Sequence, residues 1–315
     1  MTPPLVGLLG VDIGGTKTSA VLFDHAHRPR FRLQTPTPAR RGPAAVAGQA
    51  LNLAARVLRE AAGHRLSVLS VGIGTAGVVG RDGRTIAAAT DALPGWAGTP
   101  LADMAEERLD LPARLVGDVQ AFLIGELAAG AARGSQTAIG VMAGTGIGGA
   151  VAVGGEILLG ANGAAGNLGH MPVPSAVGLE CPCGTRGHVE AVASGPAMAA
   201  RYGDLSGGPT ADLRAVAAAA AAGDDLARYV LRAGGMALGE ALAATVAVAD
   251  PDVVVVAGGV LNSGPWYEEA LRACLADCVL PILRDVSLVP AGLDADGVAL
   301  GAAVHAARQA RASHG

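Results

Sequence analysis

Cysteine is scarce in this 315-residue chain, with four residues in two clusters, 181/183 and 274/278. So sparse a set does not form the disulfide framework of a small secreted domain. The i, i+4 spacing of Cys274 and Cys278 suits one helix face and predicts buried free thiols. No block of Lys or Arg runs along the chain, and 23 basic against 27 acidic residues leave a formal charge of −4. That balance excludes the electrostatic footprint of a nucleic-acid binder. The start, MTPPLVGLLGVDIGG, has no basic segment ahead of its apolar run, so no signal peptide is expected. One uncharged stretch, AIGVMAGTGIGGAVAVGG at 138–155, is long enough to suggest a membrane span. Its seven glycines argue against a helix, since each costs about 1 kcal/mol relative to alanine. It divides more naturally into strand, turn and strand, and a soluble cytoplasmic protein is expected. A P-loop GxxxxGK[ST] is missing, as is a GxGxxG that follows a strand and opens a helix.

What is present is an alternation of buried strands, glycine turns and helices. LVGLLGVDIG and TSAVLFD predict two strands around a glycine turn, with RFRLQTP a more exposed third. Residues 43–62 have helical periodicity and stop at Gly63. LSVLSVGIGTAG is another buried strand, PLADMAEERLD a helix, PARLVGD a short strand, and a helix begins just after Asp118. The same grammar then recurs: two strands around a turn at 138–157, an irregular Gly/Pro-rich stretch at 164–190, and helices near 210–222 and 224–249. The Val run of DVVVVAGGV suggests a strand buried on both faces, and two further helices follow. The pattern predicts an α/β fold of two related domains, 1–118 and 119–315, with a cleft between them and the last helix packing back on the first domain.

Three glycine turns at strand ends point to phosphate. In DIGGTKT, Gly14 and Gly15 let backbone N–H groups approach an anion, because no Cβ intervenes. Thr16 adds a hydroxyl, Lys17 a cation, and Asp12 a carboxylate able to hold Mg²⁺ through water. GTGIGG repeats the device with Thr145 and Gly146. VVVVAGGV ends a buried strand in Gly258 and Gly259, where an adenine can lie flat. Any one of these alone is compatible with a plain turn; three, spread over two domains, fit a gripped nucleotide.

The segments GVDIGGTKTSAVLFD, GIGTAG, GTGIGG, CPCGTRGHVEAVASG and VVAGGV together resemble the ROK family of bacterial sugar kinases and related repressors. The resemblance runs from about residue 5 to 310, with the motifs in family order. It implies two actin-like (ribonuclease H-like) ATPase domains, ATP with Mg²⁺ as phosphoryl donor, a sugar acceptor, a homodimer or homotetramer, and no nucleic-acid or membrane partner. On position alone Asp118 reads as a helix N-cap. The resemblance makes it the general base that takes the proton from a sugar hydroxyl. Gly117 stands where the family usually has Asn. Gly77, at the end of GIGTAG, is implied to lie by the sugar. The usual sugar-binding Asn falls at Ala92, leaving Thr90 and Asp91 as polar groups there. GNLGH matches the family's Glu-x-Gly-His with Asn167 replacing Glu, and His170 and Glu190 are kept as implied sugar contacts.

The Cys-x-Cys pair suits a soft metal better than a disulfide in a reducing compartment. Cys181, Cys183 and His188 offer three ligands, and His170, eleven residues upstream of Cys181, a fourth. The family pattern has a third Cys where this chain has His188; imidazole keeps the tetrahedral zinc chemistry and makes the site formally neutral. A metal-free loop is the alternative reading.

The neutral Asn167 amide can meet a C2 carbonyl that a carboxylate would repel. The expected acceptor is therefore an N-acetylhexosamine, N-acetylmannosamine slightly ahead, with glucose and N-acetylglucosamine following. Two readings of another class are a ROK repressor, for which a helix-turn-helix ahead of residue 5 is not expected, and a sugar sensor without catalysis.

Overall fold

The structure, a computed structural model, describes residues 5–89, 92–209 and 212–312. In chain order the strands and helices begin with β1 (Leu5–Ile13), β2 (Lys17–Phe23), β3 (Pro29–Pro36), α1 (Pro43–Ala61) and β4 (Leu66–Thr75). Next come β5 (Val78–Val79), β6 (Ile86–Ala88), α2 (Leu101–Leu109), β7 (Ala113–Gly117), α3 (Asp118–Ala129), β8 (Ala138–Ala143), β9 (Ile147–Val153) and β10 (Glu156–Ile157). The remainder is mainly helical: α4 (Glu190–Ala193), α5 (Gly195–Ser206), α6 (Leu213–Ala221), α7 (Asp225–Ala249), β11 (Val253–Ala257), α8 (Pro265–Cys278), β12 (Leu288–Pro290) and α9 (Gly297–Ala312).

The chain forms two compact units. One comprises Met1–Gly134, Glu156–Ala165 and Ala291–Gly315, and the other Ser135–Gly155 and Gly166–Pro290. The first division falls after Gly134 rather than after residue 118, for a reason visible in α3. The buried Glu126 carboxylate accepts N–H bonds from Ala131 at 2.6 Å and from Gly292 and Leu293 at 3.0 Å each. This ties the end of α3 to the segment that leads into α9.

In the first unit the strands run β3-β2-β1-β4-β7, with the β1–β2–β3 meander antiparallel and β1, β4 and β7 parallel. Helix α1 buries Val46, Ala50, Leu53 and Val57 in the same core as Leu9, Val11 and Ile73. The last helix, α9, belongs to this unit and lies on its sheet. Gly10 and Gly72 explain how closely it sits, since a Cβ on either would collide with the carbonyl oxygens of Ala299 and Ala302. Glycine inside a strand here marks a backbone approach.

The second unit repeats the plan with strands in the order β9-β8-β11-β12: β8–β9 antiparallel, β8–β11 and β11–β12 parallel. Helix α7 is long and apolar enough to cross a membrane by length and composition, but 61% of its most apolar window is buried, as in a core helix. Its N-cap is Asp224, whose Oδ1 accepts from Leu226 and Ala227 N–H at 2.8 and 3.0 Å.

Two local expectations change. Residues 195–206 form helix α5, which the sequence pattern passed over; Ser194 caps it, accepting the Ala197 N–H at 3.3 Å, and the left-handed Gly207 ends it. Cys274 and Cys278 do share a face of α8, with their sulfurs 3.9 Å apart. Cys278 is exposed and Cys274 only half-buried, the latter packing against Gly239 of α7.

Candidate functional site

In the first unit the chain reverses between β1 and β2 through Gly14, Gly15 and Thr16, with Gly14 N–H donating to Lys17 O at 3.0 Å. Thr37, just after β3, braces this turn. Its N–H donates to Thr16 O at 2.9 Å and its hydroxyl to Gly14 O at 2.7 Å. Among the described residues, the N–H groups of Gly15 and Thr16 donate to no backbone carbonyl. They are free for an anion. Lys17, the chain's single lysine, opens β2.

Two carboxyls meet at the same end of this sheet. Asp12 is in register with Gly74 of β4, and Gly74 with Val116 of β7, so Asp12, next to last in β1, and Asp118, the first residue after β7, lie at the same end of strands separated by one. Burial, and then the charge of Asp118, push Asp12 up to about 7, while Lys17 pulls it down. Burial pushes Asp118 up to about 6, against the Val119 N–H that donates to its Oδ1 at 2.8 Å. A carboxyl that ionises near neutral pH is suited to accepting a proton. Ser19, the register partner of Asp12 on β2, has a buried hydroxyl with no partner among the described residues.

The corner before Asp118 is held by a residue the sequence reading missed. Gly117 N–H donates to Gln120 Oε1 at 3.2 Å, and Gln120 Nε2 donates to Gly163 O at 3.3 Å. Gln120 is buried, and its place at the third helical position is where a capping partner is looked for. Gly77 takes φ +101°, and an added Cβ there would lie 2.5 Å from Ala88 O. Trp96, from the LPGWAG segment, is buried and donates its indole N–H to Thr75 Oγ1 at 2.9 Å. Ala92 abuts Gly15, its Cβ and O each 3.1 Å from where a Gly15 Cβ would be. Thr90 and Asp91 lie outside the described residues.

In the second unit, Gly144–Gly146 form the corresponding turn, closed by Gly144 N–H to Gly146 O at 2.9 Å. Thr145 is exposed at its tip. Glu190 comes to this turn from α4, its Oε2 accepting the Ile147 N–H at 2.8 Å. An added Cβ on Gly146 would lie 2.7 Å from the same oxygen. Gly258 takes φ +110° at the end of β11, where a Cβ would collide with Ala143 O, and Gly259 is exposed beside it. Asn167 is exposed; its carbonyl accepts the His170 N–H at 3.1 Å.

Residues 171–173 pair with 187–189, through Val173 N–H to Gly187 O and Val189 N–H to Met171 O, each 3.0 Å. This brings His170 beside His188, with ring centroids 5.4 Å apart. The tight turn closed by Cys181 N–H to Thr185 O at 2.8 Å and Gly184 N–H to Cys181 O at 2.9 Å turns both thiols the same way. One ligand atom from each of His170, Cys181, Cys183 and His188 lies within 4.8 Å of the others. Cys181 Sγ is 3.7 Å from His170 Nδ1, and Cys183 Sγ 3.3 Å from His188 Nδ1. A tetrahedron with metal–sulfur bonds of about 2.3 Å and metal–nitrogen bonds of about 2.0 Å has edges of about 3.3–3.8 Å. The two S–N distances match such an edge, and with all four ligand atoms within 4.8 Å of one another a small closing of the side chains would complete the tetrahedron.

The chain matches the model of the ROK family over residues 8–309. It is 31% identical to a glucokinase of Thermotoga maritima, over 95% of this chain and 97% of the relative. It is 34% identical to an N-acetylmannosamine kinase of Citrobacter koseri, over 94% and 97%. The crystal structure of a ROK hexokinase from Thermus thermophilus superimposes with a TM-score of 0.87 at 32% identity, covering 98% of this chain and all of that one. The two units are thus the two actin-like halves of that fold, and the chain belongs to the ROK family.

Proposed function

We propose that the chain is a sugar kinase that transfers the γ-phosphoryl group of ATP to the 6-hydroxyl of a hexose or N-acetylhexosamine. The observation that carries this reading is Asp118 at the β7–α3 corner, its carboxyl pushed up to about 6 by burial, at the same end of the sheet as the Gly14–Thr16 turn. Glucokinase and N-acetylmannosamine kinase relatives support the reaction class.

In the reaction, the Asp118 carboxylate accepts the proton of the 6-hydroxyl as that oxygen attacks the γ-phosphorus. The bond from that phosphorus to the bridging oxygen breaks, and ADP leaves with the electron pair. The free N–H groups of Gly15 and Thr16, with Lys17, hold phosphate oxygens in the first unit. Thr145 and Gly146 do so in the second, and Gly258 and Gly259 leave a flat surface for adenine. The family resemblance assigns sugar contacts to Gly77 and Gly117 in the first unit and to Asn167, His170 and Glu190 in the second. Mg²⁺, when bound, neutralises phosphate charge. Asp12 is suited to it, because its carboxyl is held up by burial and by Asp118 and its register partner Ser19 offers an unsatisfied hydroxyl. Zn²⁺ fits His170, Cys181, Cys183 and His188, two thiolates and two imidazoles. Its role there is architectural, fixing the loop that carries Asn167, His170 and Glu190.

Asn167 favours an N-acetylated sugar, N-acetylmannosamine ahead of N-acetylglucosamine and glucose, since a neutral amide can donate to the acetyl carbonyl. A coupled assay of these three sugars with ATP–Mg²⁺ tests both levels. Turnover of N-acetylmannosamine with the highest kcat/KM is expected. Turnover of glucose alone would overturn the substrate, and sugar binding without any turnover would leave a sugar sensor.

A further inference from the structure

Beside the Gly14–Thr16 turn lies a hollow of about 350 Å³ lined by Gly15, Thr16, Thr37, Pro38, Ala39, Arg40 and Arg41. That volume is within the range of small-ligand sites, roughly 300–1,000 Å³. Among the described residues, no carboxylate lines it. Both arginines are exposed, and neither forms an ion pair among the described residues. Arg30, Arg84, Arg186 and Arg272, by contrast, all do.

The arginines are not on a loose loop. Thr37 fastens the segment to the turn by the two hydrogen bonds described above. A single 3₁₀ turn follows, with Arg41 N–H on Pro38 O at 2.9 Å, and Gly42 at φ +86° starts α1 with Pro43. Two arginines with no ion pair among the described residues therefore line the same hollow as two residues whose backbone N–H groups are unused. Guanidinium binds a phosphoryl group through parallel N–H bonds, and consecutive free amides form an anion nest.

We propose that Arg40 and Arg41, with the Gly15 and Thr16 amides, form a binding site for a phosphate-class oxyanion. Two ligands share that chemistry: the phosphate chain of the donor and the phosphate of a phosphorylated sugar. The donor case rests on the kinase reading; the site itself does not.

The test is calorimetric titration of wild type and the Arg40→Ala/Arg41→Ala double variant with pyrophosphate, a non-hydrolysable ATP analogue and glucose 6-phosphate. Both side chains are exposed, so a thermal melt equal to wild type is expected as control. The double lysine variant separates charge from fork geometry. At least a tenfold weakening of pyrophosphate binding by the alanine pair, partly restored by the lysine pair, is expected. Weakening of the ATP analogue, with a matching rise in KM for ATP and none for sugar, assigns the site to the donor. Weakening of glucose 6-phosphate alone assigns it to the phosphorylated sugar. Equal affinity of wild type and alanine pair for all three overturns the proposal. Because titration needs no turnover, a protein that phosphorylates no sugar still decides it.

Discussion

Glu190, two residues after His188 of the His/Cys cluster, accepts the Ile147 N–H at 2.8 Å, so one carboxylate fastens the second glycine turn to the His/Cys loop. A charge-assisted bond of this kind is worth about 1.5–3 kcal/mol. Glu190→Ala is expected to loosen the turn and raise KM for ATP about tenfold, along with KM for sugar. Glu190→Gln keeps an acceptor for the amide, and is expected to raise KM for sugar more than KM for ATP. Steady-state kinetics with each substrate varied in turn provide the check.

The two carboxyls of the first unit set the pH dependence. Asp118 works as the carboxylate, so kcat/KM should rise with pH through an acid limb near 6–7. The apparent value belongs to the Asp12–Asp118 pair. The stability effect has the opposite sense. Both groups ionise at higher pH in the folded chain than in the unfolded one, so the folded state binds the extra protons between about pH 4 and 7. Their contribution therefore falls as pH rises through that window, and the cost is fully present above it. Asp12→Asn should abolish activity yet raise the melting temperature at pH 8 by a few degrees, roughly 2–4 °C per kcal/mol gained. The gain should vanish near pH 4. Melting curves across pH read this directly.

Gln120 holds the Gly117 corner from inside the fold. Gln120→Ala leaves the Gly117 N–H and Gly163 O without their partner, which costs about 1–3 kcal/mol in stability. If it positions Asp118, kcat should fall about tenfold or more with KM for sugar nearly unchanged, and the acid limb should shift. Gln120→Leu, similar in size but unable to bond, should behave like the alanine variant in kcat.

The His/Cys site predicts about one zinc per chain by elemental analysis. Chelation should lower the melting temperature of the second unit and raise KM for sugar, since metal binding here is folding energy. Cys183→Ser should reproduce both effects. Restoring a family-like third thiolate with His188→Cys should keep zinc bound.

Much of this was legible in the residues. The strand–turn–strand signals around Gly14 and Gly146 and the Cys-x-Cys with two histidines are local patterns, and local patterns survive folding. Thr37 was not legible, because it acts through hydrogen bonds to the backbone of another segment; Gln120 had a local signal in its third helical position, but its second bond, to Gly163, had none. Gly10 and Gly72 looked like ordinary strand glycines; their reason is α9, more than 220 residues later in the chain. Helix α5 had its start in Ser194-Gly195-Pro196 and its stop in Gly207, signals overshadowed by the glycine-rich stretch before them.

The central claim is that Asp118 takes the proton from the sugar hydroxyl. The most direct measurement is kcat of Asp118→Asn at pH 8 with saturating sugar and ATP–Mg²⁺, alongside calorimetric sugar affinity. A fall in kcat of about 10²–10⁴-fold is expected, the range for losing a general base, with sugar affinity changed by less than tenfold. A kcat within tenfold of wild type would contradict it.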